Sequence, residues 1–404
     1  MTQFMRLNDL PDISGKTVLL RADVDVPLKD GHVTDDTRLK ALIPTLQALK
    51  AKSCKIIIIG HLGRPKGQRQ LEFSLAPVAT HLSSLLEQDV TFYKDCIGET
   101  LLTEVQSSIA ACDIALLENL RFYREEQEND LSFAKKLSAF GEVYINNAFA
   151  STHRAHASVH AITQFLPSYA GLLIEKELSA LTQALDNPIR PVAALIGGAK
   201  VSTKLSILKN LTKKVDTLIV GGGMANTFLL AQGYNIGQSL CEPDLKENVQ
   251  EIFDTAQDHD CQIILPTDVA VAEALTPHIE TQTVSIDHIP DTKMALDIGP
   301  DSIQNIKAVL KDCKTILWNG PLGAFEVPPF DKATIDVARY AAEHTQNGTL
   351  TTIAGGGDTA AALEHAGIAH HFSYISTAGG AFLEYIEGKT LPALQALSSS
   401  YKVA

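Results

Sequence analysis

Short apolar runs alternate with amphipathic segments along the whole chain. Each run has the length of a buried strand, and most lack the polar alternation of a strand with one face in water. The predicted strands are Thr17–Val26, Lys55–Ile59, Asp113–Leu117, Glu142–Ile145, Val192–Ile196, Thr217–Val220, Gln262–Leu265, Thr315–Trp318, Leu350–Ile353 and Phe372–Ile375. The segments between them, such as Asp36–Lys50, Ser132–Phe140 and Lys204–Leu211, have helical periodicity. Strand followed by helix, repeated in this way, predicts an α/β fold with parallel sheets.

The residues that follow the predicted strands differ between the two halves of the chain. First-half strand ends carry Asp, His and Arg, whereas second-half strand ends carry Gly runs and Lys. Ligands bind beyond the carboxyl ends of strands in open α/β sheets, so two kinds of site are expected. At roughly 100–200 residues per domain, the 404 residues allow two domains. We predict two Rossmann-like domains, residues 1–172 and 189–387, each a parallel β-sheet flanked by helices, joined by a helical hinge at 173–188.

Composition and charge narrow the possible partners. The net charge of −13 argues against a broad nucleic-acid interface, which needs a basic patch. No apolar stretch reaches the roughly 18 residues of a membrane span, and the N-terminus does not resemble a signal peptide. The six cysteines form no CxxC pair, which favours a reducing compartment. We therefore expect a cytoplasmic protein without a membrane partner, and a monomer, because no heptad or apolar stripe demands a second chain.

Charged residues cluster at the predicted strand ends of the first half. Arginine presents a planar fork of donors that grips phosphate or carboxylate in a bidentate way. A single arginine here would most simply be a surface ion pair. Four arginines and two histidines at strand ends of an acidic protein instead predict one anion pocket, with the histidines as wall residues. The set is Asp23, Asp25, Arg38, His61, Arg64, Arg121, His153 and Arg154.

In the second half, the segment Gly197–Lys204 runs from a predicted strand into a predicted helix. Lys200 and Lys204 are one turn apart and would oppose the helix dipole, a conflict that a bound anion would remove. Two solvated lysines are the alternative. The segment is not a Walker A loop, and no GxGxxG follows any strand.

Two glycine runs, Gly221–Gly223 and Gly355–Gly357, would let the backbone approach a nucleotide closely, or would simply form tight turns. Asp358 follows the second run. It could cap the helix over Ala360–His365, or hold Mg²⁺, which prefers one or two carboxylates together with phosphate oxygens.

These motifs together resemble those of the phosphoglycerate kinase family. The segment Arg21–Pro27 resembles its RVDFNVP signature, Gly60–Pro65 its GHLGRP, Glu118–Phe122 its LENxRF and His153–Ser158 its HRAHAS. The remaining matches follow in family order over essentially the whole chain: Gly197–Lys204, Gly221–Met224, Trp318–Pro321 with Phe325-Glu326, and Gly355–Thr359.

The resemblance implies a phosphotransferase with a carboxyl group as acceptor, acting in glycolysis and gluconeogenesis. It would reversibly move a phosphoryl group between ATP and 3-phosphoglycerate, with Mg²⁺, giving ADP and 1,3-bisphosphoglycerate. The implied 3-phosphoglycerate ligands are Asp23, Asp25, Arg38, His61, Leu62, Gly63, Arg64, Arg121 and Arg154. The implied nucleotide contacts are Lys204, Gly299, Glu326, Gly356, Gly357, Asp358 and Thr359, with Asp358 at the metal. The implied catalytic groups are Arg38, Lys200, Gly379 and Gly380. The tail 388–404 would pack back on the first domain.

Two residues depart from the family pattern. Asp25 stands where the family usually has Asn, and Ala378 stands where it commonly has the first Gly of a triple. These departures leave open a binding or scaffold protein with a disabled site. A second alternative is a phosphatase that uses Asp23 of Asp23-Val24-Asp25 as its nucleophile, but Pro27 stands where that motif requires Thr or Val.

For the kinase we expect direct in-line transfer on domain closure, because the acceptor carboxylate is already ionised and needs no general base.

Overall fold

The computed structural model describes residues 4–401. Its strands are β1 (Thr17–Arg21), β2 (Leu28–Lys29), β3 (His32–Val33), β4 (Lys55–Ile59), β5 (Val90–Tyr93), β6 (Ile114–Leu117), β7 (Val143–Asn146), β8 (Ser168–Ala170), β9 (Val192–Ile196), β10 (Thr217–Val220), β11 (Gln262–Ile264), β12 (Asp268–Ala272), β13 (Gln282–Ser285), β14 (Met294–Ile298), β15 (Thr315–Asn319), β16 (Thr351–Gly355) and β17 (Tyr374–Ser376). Its α-helices are α1 (Thr37–Lys50), α2 (Ala76–Leu86), α3 (Glu99–Ser108), α4 (Arg124–Gln127), α5 (Leu131–Ser138), α6 (Leu172–Leu185), α7 (Leu205–Leu211), α8 (Gly222–Ala231), α9 (Lys246–Asp258), α10 (Pro300–Asp312), α11 (Lys332–Gln346), α12 (Gly357–His365), α13 (Gly379–Ile386) and α14 (Pro392–Tyr401).

The chain divides into two compact units. The first comprises the residues up to Leu178 together with the segment from Thr390, and it contains a six-stranded sheet in the order β5-β6-β4-β1-β7-β8. Every strand pair in this sheet is parallel. All residues of β6 and β7 are buried, as expected of strands covered on both faces. The chain leaves β1 toward β4 and leaves β7 toward β8, so the order of connection reverses between the neighbours β1 and β7.

The second unit, Ser179–Lys389, repeats this design. Its six-stranded sheet has the order β11-β10-β9-β15-β16-β17, again with every pair parallel. All residues of β9, β10 and β15 are buried. The order of connection reverses between β9 and β15. Such reversals are where α/β sheets bind ligands, so the topology marks one candidate site in each unit. The predicted α/β fold with two parallel sheets is confirmed.

The second unit also holds a three-stranded antiparallel sheet, β13-β12-β14, which the sequence analysis did not predict. Its edge strand β13 reads Gln-Thr-Val-Ser and is largely exposed, so it lacks the apolar run by which the other strands were recognised. The short strands β5 and β8 were missed as well.

The predicted strand Thr17–Val26 is too long. The ladder ends at Arg21, and the amide of Val26 donates to the carbonyl of Val24 in a turn instead. The apolar residues beyond Arg21 are buried because they line a loop rather than because they extend the sheet.

The predicted hinge 173–188 is largely helical, because α6 covers Leu172–Leu185, and the boundary between the two units lies within this helix. The helix α14 belongs to the first unit, where the amide of Ala393 donates to the carbonyl of Thr152. Residues 402–404 of the predicted tail lie outside the described residues. The domain boundaries given from the sequence stay predictions.

Within residues 4–401, no helix combines the length and the apolar character that crossing a membrane requires.

Truncating a core side chain of the first sheet should lower the stability of the protein. Leu20 in β1 has no exposed surface, so Leu20→Ala leaves a cavity and should lower the free energy of unfolding by about 2–5 kcal/mol. The control is Leu71→Ala, since Leu71 is 89% exposed and its truncation should change stability by less than about 0.5 kcal/mol. Urea titrations of both variants measure the difference, and equal effects would contradict the assignment of β1 to the core.

Candidate active site

Loops from four neighbouring strands bring the predicted anion-binding residues to one edge of the first sheet. Asp23 and Asp25 follow β1, His61 to Arg64 follow β4, Arg121 follows β6, and Arg154 follows β7. Because the strands are parallel, their carboxyl ends lie at the same edge of the sheet. Arg38 reaches the same place from the first turn of α1. A pocket of about 270 Å³ lies here, lined by Asp25, Val26, Pro27, Asp35 and Arg38.

Arg38 lies between the two aspartates. Its Nη1 donates to the backbone carbonyl of Asp25 at 2.6 Å and lies 3.7 Å from Oδ1 of Asp23 and 3.9 Å from Oδ2 of Asp25. Asp23 is only 3% exposed, and burial raises the pKa of its carboxyl although Arg38 and Arg21 oppose the rise. The aspartates therefore orient the guanidinium, while its part-exposed side chain remains accessible to a ligand.

Asp25, the residue that departs from the family pattern, has its own set of donors. Its Oδ1 accepts the amide of Gly63 at 2.9 Å, and its Oδ2 lies 3.6 Å from Nε2 of His61. Burial raises the pKa of Asp25, but His61, the Gly63 amide and Arg38 outweigh burial and hold the pKa well below its usual range. The additional carboxylate is thus ionised and compensated within the site.

His61 is buried beside a cation. Its Nδ1 lies 2.7 Å from Nη2 of Arg21, and burial together with the nearby arginines lowers its pKa to about 4, although Asp25 opposes this shift. At neutral pH the ring is uncharged. Next to it, the carbonyl of Leu62 accepts from Nδ2 of Asn119 at 2.7 Å, which fixes the loop that follows β4.

The three remaining arginines are short of acidic partners. Arg121 donates from Nη1 to the carbonyl of Gly63 at 2.8 Å, but its buried Nε has no hydrogen-bond partner among residues 4–401. Burial and the neighbouring Arg21 lower the pKa of Arg121. Arg64 and Arg154 are exposed, and neither pairs with a carboxylate within the described part of the chain. An anion bound at this edge would relieve the unbalanced positive charge.

In the second unit, a lysine lies where the order of strand connection reverses. Nζ of Lys204 donates to the carbonyl of Gly197 after β9 at 2.7 Å and contacts the carbonyl of Asn319 at the end of β15 at 3.3 Å. Burial lowers its pKa to about 8, and Asp358 opposes the shift. The two loops approach so closely that a Cβ on Gly197 would lie 1.8 Å from the carbonyl oxygen of Pro321.

A further set of hydrogen bonds joins this point to β16. Nδ2 of Asn319 donates to the carbonyl of Gly355 at 2.6 Å, and the hydroxyl of Thr359 bridges the amide of Gly320 and the same carbonyl. Gly356 has φ of +98°, and a Cβ there would lie 2.6 Å from Nδ2 of Asn319. Glycine is therefore required at this position, and the Thr359 side chain is occupied in supporting the loop.

Two local predictions for the second unit were wrong. Asp358 does not cap its helix, because α12 begins at Gly357 with Gly356 in the capping position. Lys200 and Lys204 do not share an α-helical face, because a short 3-10 helix over Val201–Thr203 separates them and α7 begins only at Leu205.

The other predicted residues lie at loops and helix starts of the second unit. Asp358 and Lys200 are exposed, and Glu326 is exposed in the loop after β15. Gly299 precedes α10, and Gly379 and Gly380 open α13, which leaves their amides outside the helical ladder. Ala378 caps α13 with φ of −108°, a conformation that alanine tolerates.

No group of three or more His, Cys, Asp or Glu side chains within residues 4–401 could hold a metal by itself. A single exposed carboxylate near Lys204 suits a cation that takes most of its ligands from phosphate and water.

Sequence reasoning missed several supporting residues: Arg21, Asn119, Glu126, Ser158 and Asn319. All five are buried and polar. A polar residue within or directly after an apolar strand was an available signal for Arg21, Asn119 and Asn319, whereas Glu126 and Ser158 lie far from any strand end and offered none.

The comparisons with known proteins agree with one another. Residues 7–389 match the family model described as phosphoglycerate kinase. The phosphoglycerate kinase of Chelativorans sp. (strain BNC1) is 51% identical over 397 residues, covering 98% of this chain and all of that protein. The phosphoglycerate kinase of Rhizobium leguminosarum is 50% identical over 400 residues, with 99% and 100% coverage.

Solved structures are similar as well. Phosphoglycerate kinase from Coxiella burnetii has a TM-score of 0.91 at 39% identity, and the enzyme from Pyrococcus horikoshii OT3 has 0.82 at 31%, each covering 98% of this chain and 99% of the other. These matches favour a kinase over the phosphatase considered above. The chain belongs to the phosphoglycerate kinase family.

Proposed function

We propose that this chain reversibly transfers a phosphoryl group between ATP and the carboxylate of 3-phosphoglycerate. The observation that carries the proposal is that one chain holds two different sites at equivalent sheet edges. The first edge has arginines without acidic partners, which suit a phosphorylated acid. The second has glycine turns and Lys204, which suit nucleotide phosphates. The reaction belongs to glycolysis and gluconeogenesis.

The first unit would bind 3-phosphoglycerate. Arg121, Arg64 and Arg154 supply positive charge that the structure leaves uncompensated, and Arg38 lies oriented at the pocket. Asp23 and Asp25, with His61, Leu62 and Gly63, would hold these donors in place or meet the hydroxyl of the substrate.

The second unit would bind the nucleotide. Lys204 and the loop Gly356–Thr359 contact its phosphates, with Gly299 and Glu326 around the rest of the molecule. Asp358 would hold Mg²⁺. When bound, this ion neutralises charge on the β- and γ-phosphate oxygens.

In the transfer step, a carboxylate oxygen of 3-phosphoglycerate attacks the γ-phosphorus while the bond to the β–γ bridging oxygen breaks. The acceptor is ionised at neutral pH, so no base removes a proton. Arg38, Lys200 and the amides of Gly379 and Gly380 would stabilise the charge on the moving group. Because the two ligands bind to different units, we propose that the units close to bring them into line, which also excludes water.

We also propose a cytoplasmic location and a monomeric state. All six cysteines are free thiols, as expected in a reducing compartment. Every role in the proposed mechanism is filled from one chain.

Removing either phosphoryl-stabilising cation should slow turnover. With 3-phosphoglycerate and Mg-ATP, coupled through glyceraldehyde-3-phosphate dehydrogenase to NADH oxidation, Arg38→Ala and Lys200→Ala should each lower kcat by roughly 10²–10³-fold. The control is Lys213→Ala, which removes an exposed cation of the second unit away from its predicted site. Full activity in both site variants would refute the mechanism. Folded wild-type protein that binds both ligands without turnover would instead favour the disabled-site alternative.

Asp358→Asn should weaken the response to magnesium. An amide oxygen carries no charge to attract the cation, so the Mg²⁺ concentration for half-maximal activity should rise roughly tenfold or more. The control Glu364→Gln neutralises an exposed carboxylate on the same helix and should leave the Mg²⁺ titration unchanged. A titration curve of Asp358→Asn that overlays the wild type would place the metal elsewhere.

The catalytic efficiency with Mg-ATP should fall as Lys204 loses its proton. Burial lowers its pKa to about 8, so the side chain is cationic below that pH and becomes neutral above it. Since kcat/KM reports the free enzyme, kcat/KM for Mg-ATP should decline as the pH rises through about 8. In Lys204→Arg the charge persists and this decline should disappear. Identical pH profiles for the two proteins would exclude Lys204 as the titrating group.

A further inference from the structure

Arg21, the last residue of β1, is a buried cation that the proposed mechanism does not use. Its side chain has no exposed surface. No carboxylate among residues 4–401 lies within ion-pair distance of its guanidinium. Burying a charge lowers the stability of the folded protein unless the charge is compensated. The groups around Arg21 should therefore show how it is compensated and which side chains it holds in place.

All but one of the guanidinium N–H groups have partners. Nε donates to Oγ of Ser158 at 2.9 Å, and Nη1 donates to the carbonyl of Ala22. Nη2 contacts Nδ1 of His61 at 2.7 Å and Oγ of Ser151 at 3.3 Å. The side chain is thus fixed by groups from three loops at the edge of the sheet.

The contact with His61 determines the tautomer of the ring. A guanidinium can only donate, so Nδ1 of His61 must be the unprotonated nitrogen. The ring is neutral, and its single proton therefore sits on Nε2. That nitrogen lies 3.6 Å from Oδ2 of Asp25, so its N–H dipole faces the carboxylate favourably. The opposite tautomer would present a lone pair to a negative charge.

On its other side, Arg21 is linked to a buried carboxylate through one hydroxyl. Ser158 donates from Oγ to Oε1 of Glu126 at 2.6 Å and from its amide to Oε2 at 2.9 Å. Glu126 has no exposed surface. It can therefore balance the charge of Arg21 without touching it.

We propose that Arg21 is a positioning residue for the phosphoglycerate site, which fixes the tautomer of His61 and thereby holds Asp25 and Gly63 in the arrangement that receives the substrate. The amide of Gly63 donates to Asp25, and its carbonyl accepts from Arg121. Displacement of His61 would therefore also displace Arg121, a predicted substrate ligand, through Asp25 and Gly63. The identity of the substrate rests on the proposed function, whereas the role of Arg21 toward His61 does not.

The first test is spectroscopic and needs no substrate. In ligand-free protein labelled with ¹⁵N-histidine, the ring signals of His61, assigned by their loss in His61→Gln, should show a protonated Nε2 and an unprotonated Nδ1 at neutral pH. In Arg21→Lys the compact ammonium cannot serve His61 and Ser158 together in this geometry, so the tautomer should become mixed. A wild-type ring protonated on Nδ1, or an unchanged tautomer in folded Arg21→Lys, would overturn the proposal.

The second test uses a milder pair of variants, which also covers an Arg21→Lys protein that fails to fold. Ser158→Ala breaks the link between Arg21 and Glu126, and KM for 3-phosphoglycerate should rise roughly tenfold while KM for Mg-ATP is unchanged. The control Tyr144→Phe deletes another buried hydrogen bond to Ser158, from the Tyr144 hydroxyl to its carbonyl at 2.7 Å, and should change both KM values by less than about twofold. Equal effects of the two variants would reduce Ser158 to a structural role and overturn the proposal.

The two hypotheses fail in different ways. Absence of turnover by the wild type would overturn the proposed function and the substrate assignment made here. The tautomer of His61 and its response to Arg21→Lys would still decide whether Arg21 positions the ring.

Discussion

The second unit is organised around one close contact between neighbouring parallel strands. Nζ of Lys204 binds the carbonyls at the ends of β9 and β15, where the order of strand connection reverses. The contact is possible only because Gly197 and Gly320 have no side chains in the space between the loops. Asn319 and Thr359 then join the same point to β16. A ligand that meets Lys204 therefore meets a surface held by three strands.

The first unit concentrates positive charge at one edge of its sheet, although the protein as a whole is acidic. Part of that charge is compensated: Arg38 by two aspartates, and Arg21 by Glu126 through a hydroxyl. At the same edge of the sheet, Arg64, Arg121 and Arg154 form no ion pair with a carboxylate of residues 4–401. Arg21 therefore maintains the geometry of the loops, whereas Arg38, oriented by its aspartates, and the three unpaired arginines stay available to an anion. Asp25 belongs to the compensated part, so its departure from the family pattern does not leave an unpaired charge at the predicted substrate site.

Much of this arrangement could be predicted from the sequence, and the limits have physical causes. Continuous apolar runs located the central strands, and several, such as Val192–Ile196 and Thr217–Val220, have the predicted bounds. The strand β13 was missed because an exposed edge strand needs no apolar run. The helix starts near Lys204 and Asp358 were misplaced because a 3-10 turn and a glycine cap leave weak sequence signals. The supporting role of Arg21 could not be predicted, because it depends on His61 and Ser158, which lie 40 and 137 residues away in the chain.

The edge formed by β9 and β15 is built mainly from backbone groups, which limits the substitutions that this part of the protein can accept. Apart from Lys204, carbonyls and glycines are the contacting groups there, so few other substitutions could alter this surface without first displacing a strand. Differences in preference between related chains would have to arise in the flanking loops, such as those that carry Glu326 and Lys200. The phosphate recognition proposed for this edge would thus depend on the backbone and on Lys204, and the side chains of the flanking loops would adjust it from a distance.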